Sequence, residues 1–162
     1  MKKYPSNLQE WLDWQQTLHP QNIDFKLERI KSVYEKLNIK SIADKVIIVA
    51  GTNGKGSTVA ILESILYENN LSVGTFTSPH IKRYNERIKI NKEEVSSDDL
   101  IKSFKIIDKL RHETTLTYFE FATLTAFYLF SKRKLDYAVL EVGLGGRLDA
   151  TNIIDSNLSI IT

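Results

Sequence analysis

Residues 46–58 read VIIVAGTNGKGST, and this stretch decides the fold. The β-branched run 46–50 is typical of a buried strand, and the apolar periodicity that begins at Ser57 predicts a helix. Glycines between the two allow backbone N–H groups to approach an anion, and the helix N-terminus adds its positive dipole end. The stretch therefore predicts an ATP phosphate loop formed by Thr52, Asn53, Gly54, Lys55, Gly56, Ser57 and Thr58.

The loop departs from the general P-loop pattern at one position. That pattern places Ser or Thr directly after the lysine, whereas Gly56 follows Lys55 in this chain. Lys55 would bring a mobile positive charge to the phosphates, and Ser57 or Thr58 would offer a hydroxyl to Mg²⁺. An ordinary glycine turn is the alternative, but the order strand, loop, helix favours phosphate binding.

Composition excludes several other classes of function. The chain has 162 residues, a formal net charge of +2 and no cysteine, which excludes disulfides, thiolate metal sites and cysteine nucleophiles. Lysines are spread along the chain, so no basic stripe indicates nucleic acid, and no apolar stretch approaches membrane-spanning length. No apolar run follows the lysines at the N-terminus, so we expect no secretory signal and a cytoplasmic protein.

Strands and helices alternate along most of the chain. Two helices within residues 6–39, capped by residues 6–9 and by Asp24, precede a core at 45–162. The core has predicted strands at 46–50, 73–77, 87–90, 135–142 and 158–162, and predicted helices at 57–69, after a cap at Ser97, and at 119–130. This alternation predicts one α/β domain, a P-loop NTPase-like parallel sheet with helices on both faces. A strand at the very end predicts that the domain is incomplete.

Three further segments carry candidate chemistry. Glu141 ends an apolar strand, where it could hold Mg²⁺ or simply face solvent. Residues 143–150 form a glycine-rich loop in which Arg147 could neutralise an anion and Asp149 could accept hydrogen bonds; a plain flexible loop is the alternative. Thr117 and Glu120 have the spacing of a helix capping box, which the spacing alone favours over a ligand site.

Together, these motifs resemble the N-terminal part of bacterial folylpolyglutamate synthase, often bifunctional as dihydrofolate synthase, in the Mur ligase superfamily. Gly56 after Lys55 is what this family has. The sheet would then be of the Mur ligase central-domain type. The resemblance extends over nearly the whole chain and rests on residues 19–20, 23–30, 51–58, 77–80, 85–88, 118–120 and 141–152.

The resemblance implies an ATP-dependent ligase. It would phosphorylate a substrate carboxylate to an acyl phosphate, and the amino group of L-glutamate would then attack to form an amide. Its cofactors would be ATP and Mg²⁺, and its partners would be small molecules, folate or dihydropteroate and glutamate. No nucleic acid or membrane partner is implied, and the full-length protein would be a monomer.

The resemblance also assigns roles to particular residues. Lys55 and Glu141 would be catalytic, and Ser57, Ser78 and Glu141 would bind the metal. The long loop after Ser78 would be a mobile loop near the folate site. The pterin or folate pocket would be lined by Phe25, Leu27, Thr117, Tyr118, Phe119, Glu120, Arg147, Leu148, Asp149 and Ala150.

The chain departs from the family in two ways. Lys26 stands where family members often have glycine, and the chain is less than half the family's length. It would lack a downstream metal-binding histidine, a modified lysine and the C-terminal ligase domain, so the fragment alone would be inactive. Two alternatives remain, a Mur-type peptidoglycan-precursor ligase and a truncated, non-catalytic nucleotide-binding fragment. Gly56 and residues 148–152 argue against the Mur-type ligase.

Overall fold

The computed structural model describes residues 4–21 and 26–162, and its centre is a six-stranded sheet in the order β4-β3-β2-β5-β1-β6. The strands β2, β5, β1 and β6 are parallel, as predicted. The strands are β1 (Lys45–Ala50), β2 (Val73–Phe76), β3 (Ile88–Ile90), β4 (Glu93–Glu94), β5 (Tyr137–Glu141) and β6 (Leu158–Ile161).

The sheet is mostly parallel, as predicted, and departs from that arrangement at one edge. The short strand predicted at 87–90 is present as β3, but it runs antiparallel to β2, and β4 runs antiparallel to β3. The segment between β2 and β3 contains only a short 3₁₀ turn, Tyr84–Arg87. A parallel connection needs a crossover of a dozen or more residues, usually a helix, so this chain returns antiparallel.

Alternating side chains of β1 divide the core between two faces of the sheet. Ile47 and Val49 pack with Val59 of α3 on one face, whereas Val46 and Ile48 belong to a larger cluster with the other helices. Within the described residues, no helix is long and apolar enough to cross a membrane. The helices are α1 (Leu8–Gln16), α2 (Glu28–Lys36), α3 (Lys55–Glu68), α4 (Ser97–Arg111) and α5 (Tyr118–Ser131).

Helix ends differ from the predictions by one or two residues. Asn7, rather than Ser6, caps α1 by accepting the N–H of Glu10 at 3.0 Å, because its side chain sits directly before the first helical turn. Ser96 caps α4 in place of Ser97. The predicted cap at Asp24 lies outside the described residues.

Helix α3 also differs from its prediction. It begins at Lys55, two residues before the predicted start, so the lysine and Gly56 are part of its first turn. Ile65 of this helix is 55% exposed. Among the described residues, α3 is the only helix that packs on this face of the sheet, and Ile61 and Ile65 on its outer side are exposed.

Candidate functional site

The glycine loop joins β1 to α3 at the carboxyl end of the sheet. Gly51 and Gly54 have φ angles of 140° and 81°, in the region that favours glycine. A Cβ at Gly51 would also overlap Thr162, which lies beside it at the end of β6. The first helical bond runs from the N–H of Thr58 to the carbonyl of Gly54 at 2.9 Å. The N–H groups before it therefore point out of the helix N-terminus, where an anion would accept them.

Lys55 and Glu141 face the same space at this end of the sheet. The Lys55 ammonium donates to the carbonyl of Gly51 at 3.0 Å, which holds its charge over the loop. Glu141 ends β5, whose register pairs it with Val49 of β1. A Cβ at Gly56 would lie 3.8 Å from both oxygens of the Glu141 carboxylate. The start of α3 therefore packs directly against this carboxylate.

Glu141 is only 5% exposed, and its carboxylate accepts the backbone N–H of Ser78 at 3.0 Å. Burial raises the pKa of Glu141, while the Ser78 N–H and the charge of Lys55 act in the opposite direction. A buried carboxylate with hydroxyl-bearing residues nearby suits a hard divalent cation such as Mg²⁺. The described residues contain no group of three or more His, Cys, Asp or Glu side chains that could hold a metal alone. A cation here would need phosphate oxygens as further ligands, which is how Mg²⁺ is usually bound beside nucleotides.

A cavity of about 570 Å³ opens beside this site. Seven of the residues predicted for a pterin pocket line it. Leu27 and Arg147, predicted for the same pocket, do not: Leu27 packs against the helical core, and Arg147 is exposed. Phe25 lies outside the described residues. The cavity is lined by Gln15, Gln16, His19, Gln21, Ser78, Pro79, Arg87, Thr117, Tyr118, Phe119, Glu120, Gly143, Leu144, Leu148, Asp149 and Ala150.

Glu120 serves the fold at the cavity wall. Its carboxylate accepts the backbone N–H of Thr117 at 2.7 Å, and the hydroxyl oxygen of Thr117 accepts the backbone N–H of Glu120 at 3.1 Å, so the predicted capping box is confirmed. The guanidinium of Arg29 in α2 donates to both oxygens of the same carboxylate, at 3.0 and 3.1 Å. Glu120 therefore ties α2 to α5 and leaves little capacity for a ligand.

Asp149 organises the loop 143–151 from within. One oxygen accepts the N–H groups of Gly143 and Leu144, both at 3.0 Å. The other accepts the N–H and the hydroxyl of Thr151, at 3.0 and 2.7 Å. Burial raises the pKa of Asp149, and these bonds oppose the shift. All four lone-pair positions of the carboxylate are thus occupied by the protein, and the loop is held rather than flexible.

Arg87 is a cavity residue to which the sequence assigned no role. It is 8% exposed, and its guanidinium lies 5.6 Å from the ring centres of Tyr84 and Tyr118. Its Nε donates to Nδ1 of His80 at 2.8 Å, so Nδ1 is unprotonated, and burial together with the Arg87 charge lowers the pKa of His80. Within the described part of the chain, no carboxylate pairs with this guanidinium.

The segment that carries Arg87 is folded around Glu86. The Glu86 carboxylate accepts the N–H groups of Ile81, Lys82 and Arg83, at 2.8, 3.0 and 2.8 Å, and these bonds lower its pKa. The sequence signal for this arrangement is weak: three charged residues lie within 83–87, in a stretch without periodicity. The expected mobility of this loop stays a prediction.

Ser78 and Pro79 connect the two parts of the site. Both line the 570 Å³ cavity, and both also line a second cavity of about 380 Å³ whose walls include Gly56 and Glu141. The glycine loop and the larger cavity therefore meet at the carboxyl ends of β2 and β5. That is the edge of a parallel sheet at which open α/β folds bind ligands.

The fold and the glycine loop define an α/β domain of the P-loop type. No protein-family model matches the chain. The curated dihydrofolate synthase/folylpolyglutamate synthase of Haemophilus influenzae is 51% identical over 160 residues, which is 99% of this chain and 36% of the relative. The same enzyme of Escherichia coli is 45% identical over 157 residues, 97% of this chain and 37% of the relative.

Solved structures agree with these relatives. E. coli FolC in complex with DHPP and ADP superposes with a TM-score of 0.96 at 44% identity, covering 100% of this chain and 39% of that one. The bifunctional synthase of Yersinia pestis, complexed with AMPPNP and Mn ion, gives 0.93 at 49% identity, covering 98% and 40%. The chain is a homologue of the dihydrofolate synthase/folylpolyglutamate synthases and spans about 37% of their length.

Proposed function

We propose that this chain is the nucleotide- and pterin-binding part of an ATP-dependent ligase, which adds L-glutamate to dihydropteroate or a folate through an acyl phosphate. The relatives named above support the reaction. Among the superposed structures, one holds DHPP and ADP, and another holds Mn, AMPPNP and L-glutamate. We extend ATP and a divalent cation to this chain because the glycine loop and Glu141 offer the matching groups.

One observation carries the proposal: Ser78 belongs to both halves of the site. Its N–H holds Glu141 beside the glycine loop, and the same residue lines the cavity of about 570 Å³. Formation of an acyl phosphate requires a substrate carboxylate in line with the terminal phosphate of ATP. A molecule that fills the cavity up to Ser78 would present its end to a triphosphate on the loop.

The nucleotide side would work through charge. In this proposal, residues 52–58 hold the triphosphate, with Lys55 neutralising charge as it moves to the leaving phosphate. Ser57, Ser78 and Glu141 would hold Mg²⁺, which supplies further charge neutralisation at the phosphates. The protein needs no covalent chemistry of its own for this step, because positioning and electrostatics suffice.

The cavity side would fix the acceptor. Phe119 and Tyr118 offer aromatic faces against which a flat heterocycle can stack. Arg87 would pair with the acceptor carboxylate, since a buried guanidinium without an acidic partner favours an anion. Leu148 and Ala150 would complete the wall, positioned by the hydrogen bonds of Asp149. A volume of about 570 Å³ is within the usual range for small-molecule sites.

The proposal extends to the oligomeric state, location and domain boundaries of the enzyme. Its acceptor and its amine are small molecules, so we propose a monomeric, cytoplasmic enzyme with no macromolecular partner. We also propose that residues 45–162 are the core of the ATP-binding domain, preceded by helices within 6–39.

The test measures phosphate release by the protein expressed from its complete reading frame. We expect release that requires ATP, L-glutamate and either dihydropteroate or tetrahydrofolate, and its loss in Lys55→Ala. A UDP-linked peptidoglycan precursor serves as the competing acceptor. Release with that precursor and none with either pterin would overturn the proposal in favour of a Mur-type ligase.

A further inference from the structure

Gln15 combines burial, position and unused hydrogen-bonding capacity. It projects from α1, lines the 570 Å³ cavity and is only 1% exposed. Neither its amide nitrogen nor its amide oxygen has a hydrogen-bond partner among the described residues. Most buried side-chain polar atoms in proteins do have one, so an amide with both ends unpaired calls for an explanation.

Stability of the protein does not explain a glutamine at this position. Burial of an amide without partners costs free energy, whereas an apolar side chain of similar size would pack at no such cost. Leu12 occupies a neighbouring buried position on the same helix, which shows that α1 accepts leucine there. The amide of Gln15 is therefore a cost to the empty protein that a bound molecule could offset.

The other polar groups of the cavity wall sharpen the argument. Glu120 is committed to Thr117 and Arg29, and the four acceptor positions of Asp149 are filled by its own loop. Arg87 is left for an anion. Gln15 is a neutral group with one donor side and one acceptor side in a single plane. It matches a ligand edge that presents an acceptor and a donor side by side.

We propose that Gln15 is a specificity-determining residue, which reads the amide edge of the heterocycle of the bound acceptor, where the N3–H donor lies beside the 4-oxo acceptor. The inference rests on the proposed function, because it takes the cavity's occupant to be a pterin. Such an acceptor has a carboxylate at one end and an amide-like ring edge at the other. Arg87 and Ser78 face the carboxylate end, and Gln15 receives the ring edge.

The experiment replaces Gln15 by leucine and by methionine in the protein from the complete reading frame. Gln9→Leu is the matched control, because Gln9 is an exposed amide on the same helix. Initial rates are measured with dihydropteroate and with an analogue that lacks the 4-oxo group. Loss of two neutral hydrogen bonds predicts a KM for dihydropteroate raised about 10- to 100-fold. The KM for ATP and the thermal midpoint should not fall.

Selectivity separates recognition from a structural role. The wild type and Gln9→Leu should prefer dihydropteroate to the analogue, and both Gln15 variants should lose that preference. Should either Gln15 variant fold and keep the wild-type preference, the inference is wrong and the amide is served by enclosed water. If Gln15→Leu does not fold, Gln15→Met decides. If the wild type turns over no pterin at all, the proposed function fails with it, which the wild-type rates show directly.

Discussion

Replacement of Asp149 by asparagine tests how the cavity wall is held. The substitution keeps the shape of the side chain but leaves one oxygen where there were two. In the folded protein, each oxygen accepts two donors, from Gly143 and Leu144 on one side and twice from Thr151 on the other. The new NH₂ group must therefore face two donors, whichever way the amide is turned.

The magnitude follows from that count. Each hydrogen bond to a charged group is worth about 1.5–3 kcal/mol, so two lost bonds remove about 3–6 kcal/mol. Burial raises the pKa of Asp149, which shows that its charge is held at a cost, and asparagine escapes that cost. We therefore expect the free energy of unfolding to fall by about 2–4 kcal/mol, most of the loss coming from unpaired donors.

Urea unfolding at pH 7 measures this loss, with Asp155→Asn as the control. Asp155 is exposed and lies close by in the sequence, and its replacement is chemically the same. The free energy of unfolding should therefore change by no more than about 0.5 kcal/mol in this control. Affinity for dihydropteroate should fall in the Asp149 variant, because Leu148 and Ala150 flank the substituted residue on the cavity wall. A free energy of unfolding equal to that of the Asp155 variant would refute this account of the loop.

Three further changes test the nucleotide side and the packing around it. Lys55→Ala should weaken binding of an ATP analogue with Mg²⁺ about ten- to a hundredfold by calorimetric titration, and an unchanged affinity would remove the phosphate-loop assignment. Glu141→Gln should weaken binding with Mg²⁺ much more than binding in chelator; equal losses would indicate a structural carboxylate. Because burial raises the folded-state pKa of Glu141, its contribution to stability is complete below the unfolded-state pKa and is lost as pH rises through the folded value. Without metal, the thermal midpoint of Glu141→Gln minus that of the wild type should therefore increase as pH rises from 3.5 to 7. A difference that does not change with pH would contradict this. Gly143→Ala would place a Cβ 2.6 Å from the Phe119 ring, so the free energy of unfolding in urea should fall by about 1–3 kcal/mol. An unchanged value would mean that the ring moves aside without cost.

The centre of the fold could be predicted from local pattern alone. Three signals were enough to predict the parallel core: the apolar run of β1, the glycines after it and the periodicity of α3. Each can be read from residues that are close together in the sequence. The antiparallel edge could not be predicted in the same way. β3 has three residues in a charged, aperiodic stretch, and its direction depends on pairing with β2 at long range.

Some residues of the candidate site could likewise be predicted from local sequence, and others could not. A carboxylate at a strand end directed attention to Glu141, and spacing alone identified the capping pair Thr117 and Glu120. Nothing local distinguishes Gln15 from the other glutamines of α1, because its burial depends on packing against residues about a hundred positions away. The role of Arg87 is similarly hidden, because only the folded cavity shows that none of the described carboxylates pairs with it.

The polar groups of the cavity fall into two sets with different consequences for mutation. The carboxylates of Glu120 and Asp149 are hydrogen-bonded by the protein itself, so they shape the wall before any ligand binds. Gln15 and Arg87 retain groups that the described residues do not pair, and these carry a desolvation cost in the empty cavity. Changes in the first set should therefore lower stability and ligand affinity together. Changes in the second should lower affinity while stability holds or rises, which is the pattern expected where function has been retained at a cost to the fold.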